Sequence, residues 1–204
     1  MSKVGIMGGT FNPVHLAHLE MARCAMKQKE LEKVLFMPSK LPPHKKGQDI
    51  LNEEFRAEMV QLAVSGENGF FYSDFELRRE GVTYTAKTLE LLCRQYPEDK
   101  FYFIMGGDSL FQFEQWHQPE KILQYAVILA AARGEVRQKE MLSQAAYLSG
   151  KFHGDVQVIR MPKMEISSSM IREKLARGEN VREYLPEKVY EYIRKNHCYC
   201  STLS

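Results

Sequence analysis

Short apolar runs alternate with longer amphipathic segments along the chain. The apolar runs are Val4–Met7, Val34–Met37, Phe70–Tyr72, Phe101–Met105, Tyr125–Ala131 and Val156–Met161. Runs of this length predict buried strands, although the last of them alternates more between apolar and polar residues. The segments between the runs suit helices, because apolar residues recur there at helical spacing. These helices are predicted over His18–Lys27, Glu53–Val64, Thr85–Gln95, Val136–Leu148, Ser169–Arg177 and Pro186–Lys195.

This order of elements predicts an α/β fold. Strands that are apolar throughout are typical of a parallel sheet, because helices cover both of its faces. We therefore expect a Rossmann-like, doubly wound parallel sheet with helices on both faces. No repeat, low-complexity tract or linker divides the chain, so a single domain over residues 1–204 is expected. Ligands of such sheets bind at the carboxyl ends of the strands, and most of the motifs described below follow predicted strands.

Composition and charge argue against several classes of protein. The 204 residues are enough for a substantial core, and a net charge of +2 argues against a protein that coats a polyanion. We therefore expect no nucleic-acid partner. No apolar run reaches the length of a membrane span, and the chain enters a strand without a charged-then-apolar leader, so no membrane partner is expected.

The cysteines indicate a reducing compartment. They lie at Cys24, Cys93, Cys198 and Cys200 and form no disulfide framework pattern, so a cytoplasmic location is predicted. The segment His197–Cys200 contains three potential metal ligands, but this set is incomplete for a metal site. We expect this end of the chain to be frayed after the last helix.

The segment Gly8–His18 lies between the first predicted strand and the first predicted helix. Glycines there allow backbone N–H groups to approach phosphate oxygens, and the helix dipole favours negative charge. His15 and His18 are three residues apart, so their imidazoles share one face of the opening turn and can donate to a phosphate. The pattern predicts a site for a nucleoside triphosphate. A plain turn with two incidental histidines is the alternative, and a zinc pair is a weaker one because no third ligand has the usual spacing.

Two segments in the first half of the chain suit a second substrate. Pro38–Lys46 brings three prolines, three lysines and His44 into one loop, which could clamp a phosphorylated molecule or be a solvated basic loop. In Gly81–Leu89, Thr83 or Thr85 can cap the next helix, and Thr85 can also bind a carboxylate or phosphate. Between these segments, Arg56 is expected to form a surface salt bridge rather than to contact a ligand.

The strand Phe101–Met105 ends in Gly106-Gly107-Asp108. The glycines allow a nucleotide to lie against the backbone, and Asp108 can accept a hydrogen bond from ribose hydroxyls or amides. The single tryptophan, Trp116, lies in a polar segment soon afterwards. Its indole can stack on a pyridine ring, with core packing as the alternative.

Near the end of the chain, three consecutive serines open a predicted helix in Ile166-Ser167-Ser168-Ser169-Met170-Ile171-Arg172. Serine hydroxyls and the first backbone N–H groups of a helix can bind an anion. Arg172, one turn inside the helix, can donate two hydrogen bonds to phosphate oxygens. Ordinary capping with a surface arginine is the alternative for this motif taken alone.

Together these motifs resemble a known family. His15–His18 is similar to the H-x-G-H signature of the nucleotidyltransferase superfamily, and Ile166–Arg172 is similar to its I-S-S-x-x-I-R motif. The form of the first motif that begins Gly8–Phe11 resembles bacterial nicotinate-nucleotide adenylyltransferases. Asn12 stands where that family usually has Asp, and Ala17 stands where the signature has Gly, so the closeness of adenine packing against the helix is in question.

The resemblance covers nearly the whole chain, from Val4 to about Ile193. It includes the proline- and lysine-rich loop, the Gly81–Thr85 element and Trp116. Arg133 resembles a family arginine on the ATP side, although it meets Gly134 without the proline that often precedes this glycine.

The resemblance implies the reaction of ATP with nicotinate mononucleotide to give nicotinate adenine dinucleotide and pyrophosphate, in NAD biosynthesis. It implies catalytic roles for His15, His18 and Arg172, which would stabilise charge without a general base or a covalent intermediate. The implied ATP-binding residues are Gly8, Gly9, Thr10, Phe11, His18, Gly106, Asp108, Arg133, Ser167, Ser168, Ile171 and Arg172. The implied mononucleotide-binding residues are His44, Lys45, Thr85, Asp108 and Trp116. Mg²⁺ is expected to arrive with ATP, without a metal site built from protein ligands.

Two other functions stay open at this point. One is a different superfamily enzyme that uses nicotinamide mononucleotide or pantetheine phosphate, against which the Pro-Pro-His-Lys loop, Gly81–Thr85 and Trp116 argue. The other is a nucleotide-binding sensor without catalysis, against which the intact His15, His18 and Arg172 argue. The sequence does not decide between a monomer and a homo-oligomer.

Overall fold

Six parallel strands form one sheet in the computed structural model, which describes residues 1–40, 50–133 and 135–199, with the backbone alone at 133 and 135–137. The strands are β1 (Lys3–Gly9), β2 (Lys33–Pro38), β3 (Phe70–Tyr72), β4 (Lys100–Gly106), β5 (Ala126–Arg133) and β6 (Val156–Met161). Their order across the sheet is β3-β2-β1-β4-β5-β6, and every neighbouring pair is parallel. The prediction of a doubly wound parallel sheet is confirmed.

Helices connect the strands and cover both faces of the sheet. They are α1 (Leu16–Lys29), α2 (Glu53–Val64), α3 (Thr85–Gln95), α4 (Gly107–Phe111), α5 (Pro119–Tyr125), α6 (Glu135–Phe152), α7 (Ser168–Ala176) and α8 (Glu187–Lys195). Short 3₁₀ turns lie at Phe113–Gln115 and Arg182–Tyr184. Buried residues of α1, α2, α7 and α8 share one core, and those of α3, α4, α5 and α6 share the other.

The strands supply both cores by alternation. In β4, Phe101, Phe103 and Met105 belong to the core under α3 and α5, whereas Tyr102 and Ile104 belong to the core under α1 and α2. Successive side chains of a strand point to opposite faces, so a strand covered on both sides is apolar at every position. This is the physical reason why the strands occur as continuous apolar runs in the sequence.

The order of the strands fixes where a ligand can bind. From β1 the chain moves outward through β2 and β3, then returns to β4 on the other side of β1 and moves outward through β5 and β6. The direction of winding therefore reverses between β1 and β4. In open parallel sheets a crevice forms at this point, outside the carboxyl ends of the two strands.

The end of the chain differs from its predicted frayed state. Cys198 is 2% exposed, and the hydroxyl of Tyr199 donates a hydrogen bond of 2.8 Å to Oδ1 of Asn12. The residues after α8 therefore pack against the beginning of the chain, at least as far as Tyr199. None of the helices in the described ranges is long and apolar enough to cross a membrane.

Candidate functional site

A cavity of about 580 Å³ lies at the carboxyl ends of β1 and β4, which is the point where the winding of the sheet reverses. Its size is in the range of small-molecule sites. It brings together residues from Ile6 to Arg172, which are 166 positions apart in sequence. The predicted site residues that line it are Gly8, Gly9, Thr10, Phe11, His15, His18, Thr85, Gly106, Asp108, Trp116, Ser167, Ser168 and Arg172.

The remaining predicted site residues are Ile171, His44, Lys45 and Arg133. The side chain of Ile171 is fully buried in the core under α7, so it packs the helix rather than facing the cavity. His44 and Lys45 lie outside the described residues, as does the side chain of Arg133. For these last three residues the predicted roles stay predictions.

The glycine turn, defined here as residues 8–15, begins with two tightly packed glycines. A Cβ atom at Gly8 would lie 3.2 Å from two ring carbons of Phe103, and one at Gly9 would lie 3.2 Å from the ring of Phe11. Larger residues at these positions would push both rings away. Glycine thus serves close packing on aromatic rings as well as the approach of a ligand to the backbone.

The two histidines form a stacked pair at the start of α1. Their ring centroids are 3.8 Å apart, with an angle of 27° between the planes. His15 is the N-cap residue and is 3% exposed, and its backbone N–H donates to Nδ1 of His18 at 3.2 Å. Since Nδ1 of His18 is an acceptor, a neutral ring carries its proton on Nε2. His18 can therefore present an Nε2–H donor to an anion in the cavity.

Arg56 anchors the glycine turn from behind. It is 1% exposed, and its guanidinium donates to the backbone carbonyls of Thr10 and Ser39 at 2.8 Å, of Leu51 at 3.0 Å and of Lys40 at 3.2 Å. The prediction of a surface salt bridge is therefore wrong. The helical period of α2 directs this position inward, and the loop carbonyls offer acceptors that compensate a buried cation.

The serine motif contacts the same turn directly. Ser167 is the N-cap of α7, and its side chain accepts a hydrogen bond from the N–H of Met170 at 3.2 Å. The hydroxyl of Ser168 donates to the carbonyl of Pro13 at 2.8 Å, and Nη1 of Arg172 donates to the carbonyl of Asn12 at 2.9 Å. A guanidinium carries five N–H donors, so Arg172 can hold the turn and bind a phosphate oxygen at the same time.

Asn12 and Ala17, which depart from the family pattern, have different places in the structure. Oδ1 of Asn12 accepts hydrogen bonds from the N–H of Leu51 at 3.2 Å and from the hydroxyl of Tyr199, so the side chain braces the turn as an acceptor. Ala17 is fully buried in the core beneath α1. Its methyl group points away from the cavity, so it does not narrow the space beside the helix.

A buried carboxylate organises the segment before α3. Glu76 accepts hydrogen bonds from the hydroxyls of Thr88 at 2.7 Å and Thr83 at 3.0 Å, and Arg79 donates to the Thr88 hydroxyl at 2.8 Å. Burial raises the pKa of Glu76, and the two threonine hydroxyls oppose this rise. The network fixes the chain that leads to Thr85, the first residue of α3.

The predicted capping of α3 by Thr83 or Thr85 is wrong. The N-cap is Tyr84, without a side-chain hydrogen bond to the helix, and the Thr83 hydroxyl is directed to Glu76 instead. A cap would need the hydroxyl oxygen to accept from a backbone N–H of the helix, whereas the Thr83 side chain is turned so that its hydroxyl donates to the buried carboxylate in a charge-assisted hydrogen bond. Thr85 nevertheless lines the cavity at the positive end of an 11-residue helix, where an anion is favoured.

Aromatic rings form one wall of the cavity. Trp116 is half-buried, with its ring 6.0 Å from that of Phe103 and 5.7 Å from that of Phe113. It therefore packs on the core along one side and lines the cavity along another. Nearby, the rings of Tyr84 and His117 lie 4.2 Å apart with an angle of 33° between them, and both residues line the cavity.

Gly106 and Asp108 lie where β4 passes into α4. Gly106 is the N-cap of this short helix, and Asp108 is an exposed acid in its first turn. Both line the cavity. Among the residues that the structure describes, no group of three or more His, Cys, Asp or Glu side chains could hold a metal ion.

Sequence reasoning missed the roles of Glu76 and Tyr199 and assigned Arg56 to the surface, although all three residues organise this site. Glu76 stands between Phe75 and Leu77, and an acid flanked by apolar residues was a signal for a buried carboxylate. Arg56 falls on the buried stripe of α2, which was a similar signal. Tyr199 follows the last helix and had no signal, because its partner is 187 positions away.

Comparisons with known proteins place this geometry in context. The model of the cytidylyltransferase-like family matches residues 6–174. A probable nicotinate-nucleotide adenylyltransferase from Lachnoclostridium phytofermentans is 45% identical over 199 residues, covering 98% of this chain and 100% of that protein. One from Carboxydothermus hydrogenoformans is 39% identical, covering 97% and 98%. A solved structure of Plasmodium falciparum nicotinic acid mononucleotide adenylyltransferase complexed with NaAD superposes with a TM-score of 0.79 over 98% of each chain, and at 20% identity this likeness concerns the fold.

Proposed function

Because the chain belongs to the nicotinate-nucleotide adenylyltransferase family, within the cytidylyltransferase-like proteins, we infer that it joins ATP and nicotinate mononucleotide into nicotinate adenine dinucleotide and pyrophosphate. The observation that carries this inference is the meeting of the histidine and serine motifs in one cavity, with Ser168 and Arg172 bonded to the glycine turn. The reaction is a step of NAD biosynthesis.

In the proposed reaction a phosphate oxygen of the mononucleotide attacks the α-phosphorus of ATP. The new P–O bond forms as the bond from the α-phosphorus to the bridging oxygen breaks, and pyrophosphate leaves with that electron pair. The nucleophile is already anionic, so no general base or covalent intermediate is needed. Catalysis then consists of positioning the phosphate of the mononucleotide against the α-phosphate of ATP and of stabilising the negative charge that develops on the departing pyrophosphate.

We assign the triphosphate to the glycine turn and α7. The Nε2–H donor of His18, whose ring stacks on that of His15, is proposed to stabilise charge on the departing pyrophosphate. The backbone N–H groups at the N-terminus of α7, including that of Ser168, and the hydroxyl of Ser167 offer donors for the β- and γ-phosphates, and Arg172 adds a positive charge. All of these groups line the cavity.

We assign the mononucleotide to the part of the cavity lined by Thr85, Asp108 and Trp116. Trp116 offers a flat face for the pyridine ring, and Thr85 offers its hydroxyl and the N-terminus of α3 for an anionic group. Asp108 can accept hydrogen bonds from ribose hydroxyls. His44 and Lys45, in the basic loop, are proposed to bind the anionic substrate by charge.

ATP is proposed to enter as its Mg²⁺ complex, with the ion bound by phosphate oxygens and water as part of the substrate. Neutralisation of the triphosphate by the ion would help the attacking phosphate to approach. We propose that the enzyme works in the cytoplasm, where ATP is available.

The test is a pyrophosphate-release assay with ATP and Mg²⁺ and with either nicotinate mononucleotide or its amide analogue. We expect nicotinate mononucleotide to be used much better, with the dinucleotide product identified by mass. The matched control is His18→Ala, for which the loss of one charge-stabilising donor should lower kcat by about 10²–10³ while the unfolding temperature changes little.

Three results would contradict the proposal in different ways. Equal use of both mononucleotides would replace it with a broader mononucleotide adenylyltransferase. Turnover of pantetheine phosphate alone would indicate another enzyme of the superfamily. ATP binding without turnover of any of these substrates would indicate a nucleotide sensor.

A further inference from the structure

The end of the chain forms a hydrogen bond inside the glycine turn. The hydroxyl of Tyr199 donates to Oδ1 of Asn12 at 2.8 Å, across 187 positions of sequence. Asn12 lines the cavity and is only 4% exposed. A residue that follows the last helix is thus in direct contact with a residue of the turn that carries His15.

The phenol of Tyr199 is suited to donate this bond at any physiological pH. Burial raises the pKa of Tyr199 well above its ordinary value, and the nearby positive charges of Arg172 and Arg56 oppose this rise only in part. The hydroxyl therefore stays protonated. Both arginines also donate to carbonyls of the turn, so Tyr199 belongs to the same set of donors.

The side chain of Asn12 is held from two directions. The N–H of Leu51 reaches Oδ1 at 3.2 Å from the segment before α2, and the Tyr199 hydroxyl reaches the same atom from the end of the chain. Arg172 holds the carbonyl of the same residue. Removal of the Tyr199 hydroxyl takes away one of the donors to Oδ1, so the side chain of Asn12 and the turn that carries it are held less tightly.

We propose that Tyr199 is a positioning residue. By holding the side chain of Asn12, it keeps the glycine turn in the conformation that binds the triphosphate of ATP. The role in turnover rests on the proposed function, whereas the role in nucleotide binding does not. Tyr199 itself is not among the residues that line the cavity, so its effect on ATP passes through Asn12. The segment after α8 is then part of the nucleotide site in addition to closing the core.

The test is Tyr199→Phe, which removes only the hydroxyl. The full contribution of one such hydrogen bond corresponds to a factor of about 3 to 10, which is the upper bound for an indirect effect on binding. We expect most of it to hold the turn in its binding conformation, so the Kd of a non-hydrolysable ATP analogue, measured by calorimetry, should rise at least about threefold. The KM for ATP should rise in parallel, while the KM for the mononucleotide changes less than twofold. Circular dichroism should show a folded protein at the assay temperature.

Two controls separate this role from general stability. Tyr192→Phe removes a hydroxyl from α8, where the Tyr192 ring lies edge-on to Phe55 at 6.3 Å, and it should leave the Kd of the analogue unchanged. Deletion of residues 201–204 retains Tyr199 and should also leave the Kd of the analogue unchanged. If Tyr199 only stabilises the fold, Tyr199→Phe lowers the unfolding temperature and leaves the Kd of the folded protein at the wild-type value, which overturns the proposal.

A double-mutant cycle tests the path through Asn12. In an Asn12→Ala background, Tyr199→Phe should have no further effect on the Kd of the analogue, because the acceptor is already gone. Additive effects would show that Tyr199 acts by another route and would overturn the proposal. A wild-type protein that binds the analogue but turns over no substrate would contradict the proposed function alone.

Discussion

Arg56 offers the most demanding test of how the cavity is built. Its guanidinium is buried and donates to four backbone carbonyls, which belong to the glycine turn and to the segments on either side of residues 41–49. Arg56→Met keeps most of the apolar stem and removes all of these donors. Several carbonyls in a region with little access to water would then lose their partners.

The expected cost follows from the contacts. A hydrogen bond from a charged donor contributes about 1.5–3 kcal/mol, so four of them would sum to roughly 6–12 kcal/mol if they were independent. They are not independent, since they share one cation whose burial is itself unfavourable. Desolvation lowers the pKa of Arg56, which reflects that cost. We expect Arg56→Met to lower the free energy of unfolding by about 3–5 kcal/mol, similar to the loss of one partner of a buried ion pair.

Urea unfolding of wild type and variant measures this difference, with the slope of the transition checked for two-state behaviour. Arg56→Lys keeps the charge but not the planar array of donors, so it should recover only part of the loss. Arg94→Met removes an exposed arginine paired with Glu90 on α3 and should cost less than about 0.5 kcal/mol. A loss below about 1 kcal/mol for Arg56→Met would refute the conclusion that this residue holds the turn.

Three further predictions concern individual site residues. Arg172→Ala should weaken binding of ATP more than binding of the mononucleotide, and Arg172→Lys should restore only part of the ATP affinity because a lysine lacks the planar array of donors. Equal losses of affinity for both substrates in calorimetry would contradict the assignment. Trp116→Ala should weaken the binding of both mononucleotides by about fivefold, which corresponds to about 1 kcal/mol of stacking, and should leave ATP binding nearly unchanged. The fluorescence of this single indole should respond to the mononucleotide in the wild type, and an active enzyme with a silent signal would show that Trp116 only packs the core. Because burial raises the pKa of Glu76 above 4.5, the folded protein binds that proton more tightly than the unfolded chain, so wild-type stability should fall as pH rises from about 4.5 through the raised pKa. Glu76→Gln has no such proton and should gain stability relative to wild type over this range in urea unfolding, and a difference that does not vary with pH would contradict the buried carboxylate.

The sheet could be predicted from sequence because each strand is buried on both faces. The predicted and observed bounds agree at Phe70–Tyr72 and Val156–Met161, whereas β1 extends beyond its apolar run to Lys3 and Gly9. The ends of β1 are set by backbone pairing with β2 and β4, which hydrophobicity does not reveal. The helix Glu53–Val64 also has the predicted bounds.

Elements too short to show a period were not predicted. The helix Gly107–Phe111 has five residues and Pro119–Tyr125 has seven. Neither completes two full turns, so the helical spacing of apolar residues does not repeat within it. Pro119 at the first helical position was a local signal for the second of them. These two helices matter for the site, because they place Asp108 and the segment with Trp116 beside the carboxyl end of β4.

The motifs of the site were visible in sequence, but the contacts between them were not. His15, His18 and the serine motif each follow a predicted strand, and the sheet brings them to one edge. Their fine positions depend on Arg56 and Tyr199, whose partners are backbone carbonyls and a side chain in distant segments. A hydrogen bond to a backbone carbonyl leaves no residue-type signal at the acceptor, so no pattern in the chain could reveal it.

The direction of the backbone in the glycine turn follows from these distant donors. Arg56 binds the carbonyl of Thr10, and in a trans peptide the N–H of the next residue points the opposite way, so the N–H of Phe11 is directed away from Arg56. Ser168 binds the carbonyl of Pro13 and directs the N–H of Val14 in the same manner. The donors that hold these carbonyls therefore determine which way the N–H groups of the turn point and which of them can meet a ligand. A substitution at Arg56 can therefore weaken nucleotide binding although Arg56 does not contact the nucleotide. The loss of affinity in such a variant reports how far the N–H groups of the turn have changed direction.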